Sequence, residues 1–268
     1  MRGPSVLREA VGRVKSRMGA CVLGSHTVFR GKRLHAELKD MGWMELYLFG
    51  ITGRRFSAPQ LRLLQASWVY TSYPDARIWN NRVAALAGSA RSAGSLGLSA
   101  ALAVSDARIY GGGSFVRGIE FFIRARVALA GGEELGPWVR RELAEQRILA
   151  GYGRPITHED ERIGPMMELA RSLELANGPH LDLAFAVEKC LAEIRPQLRM
   201  NYGGLLSALA ADMGFSPREY HLFMYPIFLA GMAPCYLEAT ERKEGTLFPL
   251  PCEAVSYLGA PKRKWSKP

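Results

Sequence analysis

Three consecutive glycines, Gly111-Gly112-Gly113, follow Tyr110 and precede Ser114. Ser114 is placed to cap a helix through Phe115, Ile119, Phe122 and Ile123. A glycine run that opens a helix is in principle an anion site, because free N–H groups and the helix dipole point there. Neither the lysine of a phosphate loop nor a preceding strand accompanies it, so the signal is weak. A second polar concentration runs from Ser72-Tyr73-Pro74-Asp75 to Arg82. Asp75, Arg77, Asn80, Asn81 and Arg82 are many hydrogen-bonding groups for an idle helix start. They read as a pocket or as a capped helix with a solvated first turn. A third concentration is Gly151-Tyr152-Gly153-Arg154, with His158 four residues on and Glu159 and Asp160 beyond. His158 reads as a solvent-facing loop group or as a neighbour of Arg154 in one cleft. Glu159 and Asp160 suit a first helical turn, where the dipole favours acids.

The chain that positions these groups has 268 residues, enough for one large domain or for a large and a small one sharing a core. It is 48% hydrophobic and 22% charged, with mean hydropathy near zero, which are globular values. No window reaches about 18 consecutive apolar residues, which counts against a membrane span. The N-terminus is basic and lacks the apolar core of a secretion signal. Its Arg and Ser content leaves an organellar presequence as an alternative, against which Glu9 counts.

Cys21, Cys190, Cys235 and Cys252 form no CxxC pair and no metal spacing with His. This argues against a metal site and a disulfide framework, and for a reducing, cytoplasmic compartment. The net charge is +10 and the pI about 9.7, which raises nucleic-acid binding as a reading. Only the N-terminal basic residues and Lys262, Arg263, Lys264 and Lys267 cluster, and no helix-turn-helix or zinc spacing accompanies them. They read as solvated ends or as a field attracting an anionic ligand such as a CoA phosphate.

Amphipathic helical windows dominate and strand signals are scarce. Leu34, Leu38, Met41, Met44, Leu48 and Phe49 predict a helix over 34–50, broken by Gly53. Ser57 and Pro59 open the next helix, to about Tyr70. From Ile78 to Val104 the density of Ala, Gly and Ser predicts two helices, or one broken near Gly94, packed closely. Further helices are expected over 137–149, 159–173, 179–194, 201–213 and 216–232. The last opens on Ser216-Pro217-Arg218-Glu219. From about 240 the Pro-rich tail predicts an extended arm.

Four blocks in order carry a family resemblance. Phe29-Arg30-Gly31-Lys32 with Leu48-Phe49-Gly50-Ile51-Thr52-Gly53 resembles the "RGYDL … LLxGxLP" opening of citrate synthases. Tyr110-Gly111-Gly112-Gly113 resembles their "HGGAN" turn. Gly151-Tyr152-Gly153-Arg154, with Asp160 and Arg162, resembles "GFGHRVY…DPR". Leu183-Ala184-Phe185-Ala186-Val187-Glu188-Lys189 followed by Asn201-Tyr202-Gly203-Gly204 resembles "LEVEK … NVDG", the form of citryl-CoA lyases and the terminal module of ATP citrate lyase.

The resemblance covers about residues 27–260. It implies an all-α, citrate synthase-like fold with a large and a small helical domain, in a homodimer or a higher oligomer built from dimers. The expected division is a basic extension over 1–26, large-domain helices over 27–135, a small domain over about 136–225, and a return with a C-terminal arm over 226–268. The implied ligand is a coenzyme A thioester with a carboxylate-bearing acceptor, and no tightly bound cofactor.

The resemblance also shows what is missing. The family's carbon–carbon chemistry beside a thioester uses an Asp base, two His and carboxylate-holding Arg. The base falls on Gly203, the His of the glycine turn on Tyr110, and the His of "GxGHR" on Arg154. Arg162 matches the family's carboxylate-binding Arg. The Arg expected from the partner subunit near 228–232 is absent from Phe228-Leu229-Ala230-Gly231-Met232.

One expectation is therefore a repurposed lyase, synthase or acyltransferase. Tyr110, Asp75, Tyr73 and His158 would be its proton-transfer candidates. Arg154, Arg162, Arg77, Asn80, Asn81, Arg82, Ser114 and Asn201 would be its substrate-binding candidates. The alternative is a non-catalytic CoA-ester-binding or regulatory subunit of the same fold.

Overall fold

Short polar residues begin several helices by accepting the first-turn N–H groups that no helical carbonyl can reach. Ser57 Oγ accepts from Gln60 N at 3.3 Å while Gln60 Oε1 accepts from Ser57 N at 2.9 Å, which fixes the start of the helix through Leu63 and Leu64. Ser216 and Glu219 form the same reciprocal box, with Pro217 in the first turn. The computed structural model describes residues 3–12, 15–146, 148–154, 159–247 and 252–261.

Among these, α1 (Pro4–Ala10) precedes an antiparallel three-stranded meander of β1 (Gly19–Val22), β2 (His26–Phe29) and β3 (Lys32–Arg33). Gly19 pairs with Phe29 and Val28 with Arg33. The rest is helical: α2 (Trp43–Thr52), α3 (Ala58–Thr71), α4 (Trp79–Ser89), α5 (Gly94–Ser105), α6 (Gly112–Ala130), α7 (Leu135–Gln146), α8 (Ile163–Ser172), α9 (Pro179–Ile194), α10 (Tyr202–Asp212), α11 (Pro217–Met224) and α12 (Leu229–Glu241). The chain divides into two compact units, Met1–Thr71 with Asp106–Ile227, and Ser72–Ser105 with Phe228–Pro268.

The first unit is built around α6. One side of α6 meets α10 and α11, and α9 packs on it as well. Ile119, Phe122, Val139, Met166, Leu181, Leu191 and Leu205 are fully buried in this core. α10 is buried along most of its length, so it reads as apolar all round. Its close approach to α6 needs Gly118, where a Cβ would stand 2.5 Å from Ser207 Oγ.

The second unit packs α4, α5 and α12 against one another. A Cβ at Gly88 would stand 2.4 Å from the Tyr236 carbonyl, and one at Gly97 2.5 Å from the Ala87 Cβ. The small residues over 78–104 thus do what their density predicts. Arg91, at φ 57, ends α4 and donates to the carbonyls of Gly88 and Ala239 at 2.9 and 3.1 Å.

Several boundaries differ from the sequence expectation. Residues 34–42 form turns, and the helix begins only at Trp43. The Arg33 carbonyl accepts from Ala36, Glu37 and Leu38, while the Glu37 carboxylate takes the Arg33 N–H at 2.8 Å and Lys32 Nζ at 3.0 Å. These local bonds compete with a helix. Ser114 is not the cap of α6: its hydroxyl donates to the Gly111 carbonyl at 2.8 Å, and Gly111, at φ 68, holds the cap position.

The helix expected over 216–232 breaks into a 3-10 turn at Tyr225–Phe228, where Pro226 has no N–H to donate, and then continues as α12. The span Pro217–Glu241 is long and apolar enough to cross a membrane by length and composition alone. Tyr220, Phe223, Met224, Met232 and Cys235 on it are core residues of their units, and a buried core helix passes the same test.

Candidate functional site

The first unit holds the glycine turn, the Arg154–Arg162 segment and the start of α10. The turn is a place of close approach. A Cβ at Gly113 would stand 2.5 Å from the Ala107 carbonyl, and one at Gly112 2.5 Å from Asp106 Oδ1 and 3.2 Å from His221 Nε2. Arg117 ties the turn down, donating to the carbonyls of Gly113, at 3.2 Å, and of Arg108. Tyr110 is partly buried beside it. Burial pushes its hydroxyl up to about 12, against the opposing charge of Arg162. Tyr110 is therefore a phenol at neutral pH, a proton donor and not a base.

Asp160 is the hub of the next segment. Its side chain is 1% exposed and accepts from Arg162 Nε and Nη2, both at 2.7 Å, and from Tyr202 N at 2.9 Å. Arg154 Nε approaches to 3.7 Å. Burial works to raise the carboxyl's pKa, but the bonds and charge of Arg162, the Tyr202 N–H and Arg154 outweigh it, and the net shift is downward. Arg162 in turn lies over the Tyr202 ring, 4.6 Å from its centroid. Arg154 donates to the Glu159 carbonyl at 2.9 Å and to Glu161 Oε2 at 2.6 Å. Both arginines thus hold carboxylates of their own chain.

Asn201 starts α10. Its Oδ1 accepts from Gly204 N at 3.0 Å and its Nδ2 donates to the Gly153 carbonyl at 2.8 Å. This clamps the Gly151–Gly153 loop onto α10. The two segments come so close that a Cβ at Gly204 would stand 2.4 Å from the Gly151 carbonyl oxygen. Gly203 is roomier: a Cβ there would meet Asn201 Oδ1 at 3.2 Å and the Phe115 ring at 3.5 Å. The Tyr202 hydroxyl is buried with no hydrogen-bond partner among the described residues. Burial raises its pKa far above the ordinary phenol value, despite the Arg162 charge.

The second unit holds the 72–82 segment. Arg77 donates to Asp75 through Nε and Nη2, at 3.0 and 2.7 Å to Oδ2. With the Arg77 backbone N–H these bonds lower the Asp75 carboxyl to about 2. Asn81, fully buried, donates through Nδ2 to the Tyr73 and Asp75 carbonyls, and Asn80 Oδ1 accepts from Asn81 N at 2.9 Å. A Cβ at Gly231 would stand 2.5 Å from the Tyr73 carbonyl. These hydrogen bonds shape the segment's own loop and the start of α4. Arg77 and Arg82 are exposed.

The structure brings Tyr110, Arg154, Arg162 and Asn201 into the first unit, and Tyr73, Asp75, Arg77, Asn80, Asn81 and Arg82 into the second. His158 and the basic tail residues Lys262, Arg263, Lys264 and Lys267 lie outside the described residues. Among the described residues no group of three or more His, Cys, Asp or Glu could hold a metal ion. Cys21, Cys190 and Cys235 are free thiols.

Two groups that sequence alone does not single out stand at the turn. His221 Nε2 and Asp106 Oδ1 are 3.0 Å apart, directly over Gly112. They are 115 positions apart in the chain, and no local pattern links them.

The sequence matches no protein-family model and no curated protein. Its structure does have likenesses. Citryl-CoA lyase from Hydrogenobacter thermophilus superposes with a TM-score of 0.81 at 20% identity, over 94% of this chain and 97% of that one. The chain has the citrate synthase-like fold. ATP citrate lyase from Methanothrix soehngenii, solved with citrate and coenzyme A, gives 0.71 at 16% identity, over 96% of this chain and 44% of that one. The citrate synthase of Thermoplasma acidophilum, solved with carboxymethyl coenzyme A and oxaloacetate, gives 0.63 at 16% identity, over 84% and 59%. On a citrate synthase-like fold, activity is decided by the site and not by the architecture.

Proposed function

We propose that this protein binds an acyl-CoA and makes or breaks a carbon–carbon bond beside the thioester, on an acceptor different from the family's usual one. The observation that carries the proposal is the end-to-end likeness to a citryl-CoA lyase, with almost all of both chains superposed. Neighbouring folds are solved with coenzyme A, citrate or a CoA analogue, which supports the ligand class. Arg162, at the position that resembles the family's carboxylate-holding Arg, sits beside the phenols of Tyr110 and Tyr202. Its pairing with Asp160 leaves less positive charge for a polycarboxylate, which favours an acceptor with fewer carboxylates. We place the protein in the cytoplasm as a homodimer, on the strength of the resemblance and the unpaired cysteines.

A second reading is a non-catalytic CoA-ester-binding subunit. Gly203 favours it, because that position offers no base, and so does Arg154 in the place of a His.

Thermal-shift titration with coenzyme A, acetyl-CoA and citryl-CoA tests the ligand class. A thioester at about 100 to 1,000 times its Kd should stabilise the fold by about 3–4 kcal/mol. For a chain of this size that is on the order of 6–16 °C. No shift with any of the three would sink both readings.

A further inference from the structure

We propose that Asp106, held by His221, is the carboxylate that takes a proton from the carbon beside the thioester. The inference rests on the acyl-CoA reading above. Its basis is the face of α6. Gly112, Phe115 and Gly118 are spaced by three, so each is a neighbour of the next on the helix surface. Gly112 lies under Asp106 and His221, Phe115 meets Gly203, and Gly118 receives Ser207. From residue 112 to residue 115 the helix rises about 4.5 Å. The Asp106–His221 pair and Gly203, where the resembling family carries its base, thus meet α6 at positions three residues apart.

The pair is built for access. Asp106 is 44% exposed and His221 34%, so a ligand can reach both. The pair sits directly on the helix backbone: a methyl group at 112 would stand 2.5 Å from Asp106 Oδ1 and push the carboxylate aside. The Nε2–H donated to Asp106 Oδ1 at 3.0 Å fixes the carboxylate's direction, which makes His221 a positioning residue. Ser114 N and Phe115 N already donate to the Gly111 carbonyl at 3.1 and 3.2 Å, which leaves the N–H groups of Gly112 and Gly113 as the ones at this end of α6 suited to a developing oxyanion.

In the step itself an Asp106 oxygen takes the α-proton. The C–H pair forms the C=C bond of the enolate, and the carbonyl pair moves onto oxygen. Asp106 exchanges that proton for a deuteron of the solvent and delivers the deuteron to carbon, which restores both the thioester and the carboxylate.

The experiment is hydrogen–deuterium exchange at the methyl group of acetyl-CoA in D2O, followed by NMR, with acetyl-CoA binding measured in parallel by thermal shift. It needs no acceptor. The wild type should wash out the methyl signal, and Asp106→Asn should slow this by about 100-fold or more with binding retained. His221→Ala should slow it less, and His221→Gln, which keeps a donor, should recover part of the rate. A mere packing role for His221 would not show that rescue.

Three results overturn the proposal while leaving the acyl-CoA reading intact. They are wild-type binding without exchange, full exchange by Asp106→Asn, and joint loss of exchange and binding in Asp106→Asn. Failure of the wild type to bind acetyl-CoA, coenzyme A or citryl-CoA removes the reading, and this proposal with it.

Discussion

Replacing Asp160 by asparagine keeps the side chain's shape and removes its charge. In the wild type the carboxylate accepts two parallel bonds from Arg162, each 2.7 Å, and one from Tyr202 N at 2.9 Å. The Asp160 side chain is 1% exposed and that of Arg162 19%, so solvent screens the pair little. Removing one partner of a buried pair typically costs about 3–5 kcal/mol, because the other charge is left without compensation. Asparagine retains one oxygen, which places Asp160→Asn near the lower end, about 3 kcal/mol. That lowers Tm by roughly 6–12 °C.

The effect carries a pH signature. The folded carboxyl lies below its ordinary value, so its stabilisation is complete above the unfolded pKa of about 3.9. It is lost as pH falls through the lower, folded value. Wild type and Asp160→Asn should therefore differ by a constant amount between about pH 6 and 8 and converge well below about pH 4. Urea unfolding at several pH values measures both features. A difference under about 0.5 kcal/mol at pH 7, or one that persists undiminished in acid, would refute the argument that this pair is electrostatically central.

Tyr202→Phe deletes a buried hydroxyl that has no partner among the described residues, so stability should hold or rise by up to about 1–2 kcal/mol. Thermal unfolding reads this directly, and a loss above about 1 kcal/mol would mean that the hydroxyl is bonded. Gly204→Ala puts a methyl group 2.4 Å from the Gly151 carbonyl oxygen, backbone against backbone. It should cost about 1–3 kcal/mol in urea unfolding, and a neutral result would show that the 151–153 loop can move away freely.

Much of the fold was legible in the sequence for local reasons. The Ser216–Glu219 box, the Ser57–Gln60 pair, the proline at the start of α9 and the small residues of α4 and α5 act through neighbours a few positions away or through size alone. Residues 34–42 differ from the helix their apolar spacing predicts, because the competing bonds of Glu37 depend on β3 being in place. The same limit applies to the site. Sequence spacing showed that the family's base position carries a glycine and that Arg162 is present. It could not show that Arg162 is matched by Asp160 over the Tyr202 ring, or that Asp106 meets His221 above Gly112.

Helix caps, the small-residue packing of α4 and α5 and the missing side chains are properties of short stretches, and the sequence alone determines them here. That Asp160 also meets Tyr202, which hydroxyl is stranded and which acid meets His221 at the glycine turn were decided only when α6, α10 and α11 packed together, because the Asp160–Tyr202 and Asp106–His221 contacts join residues 42 and 115 positions apart.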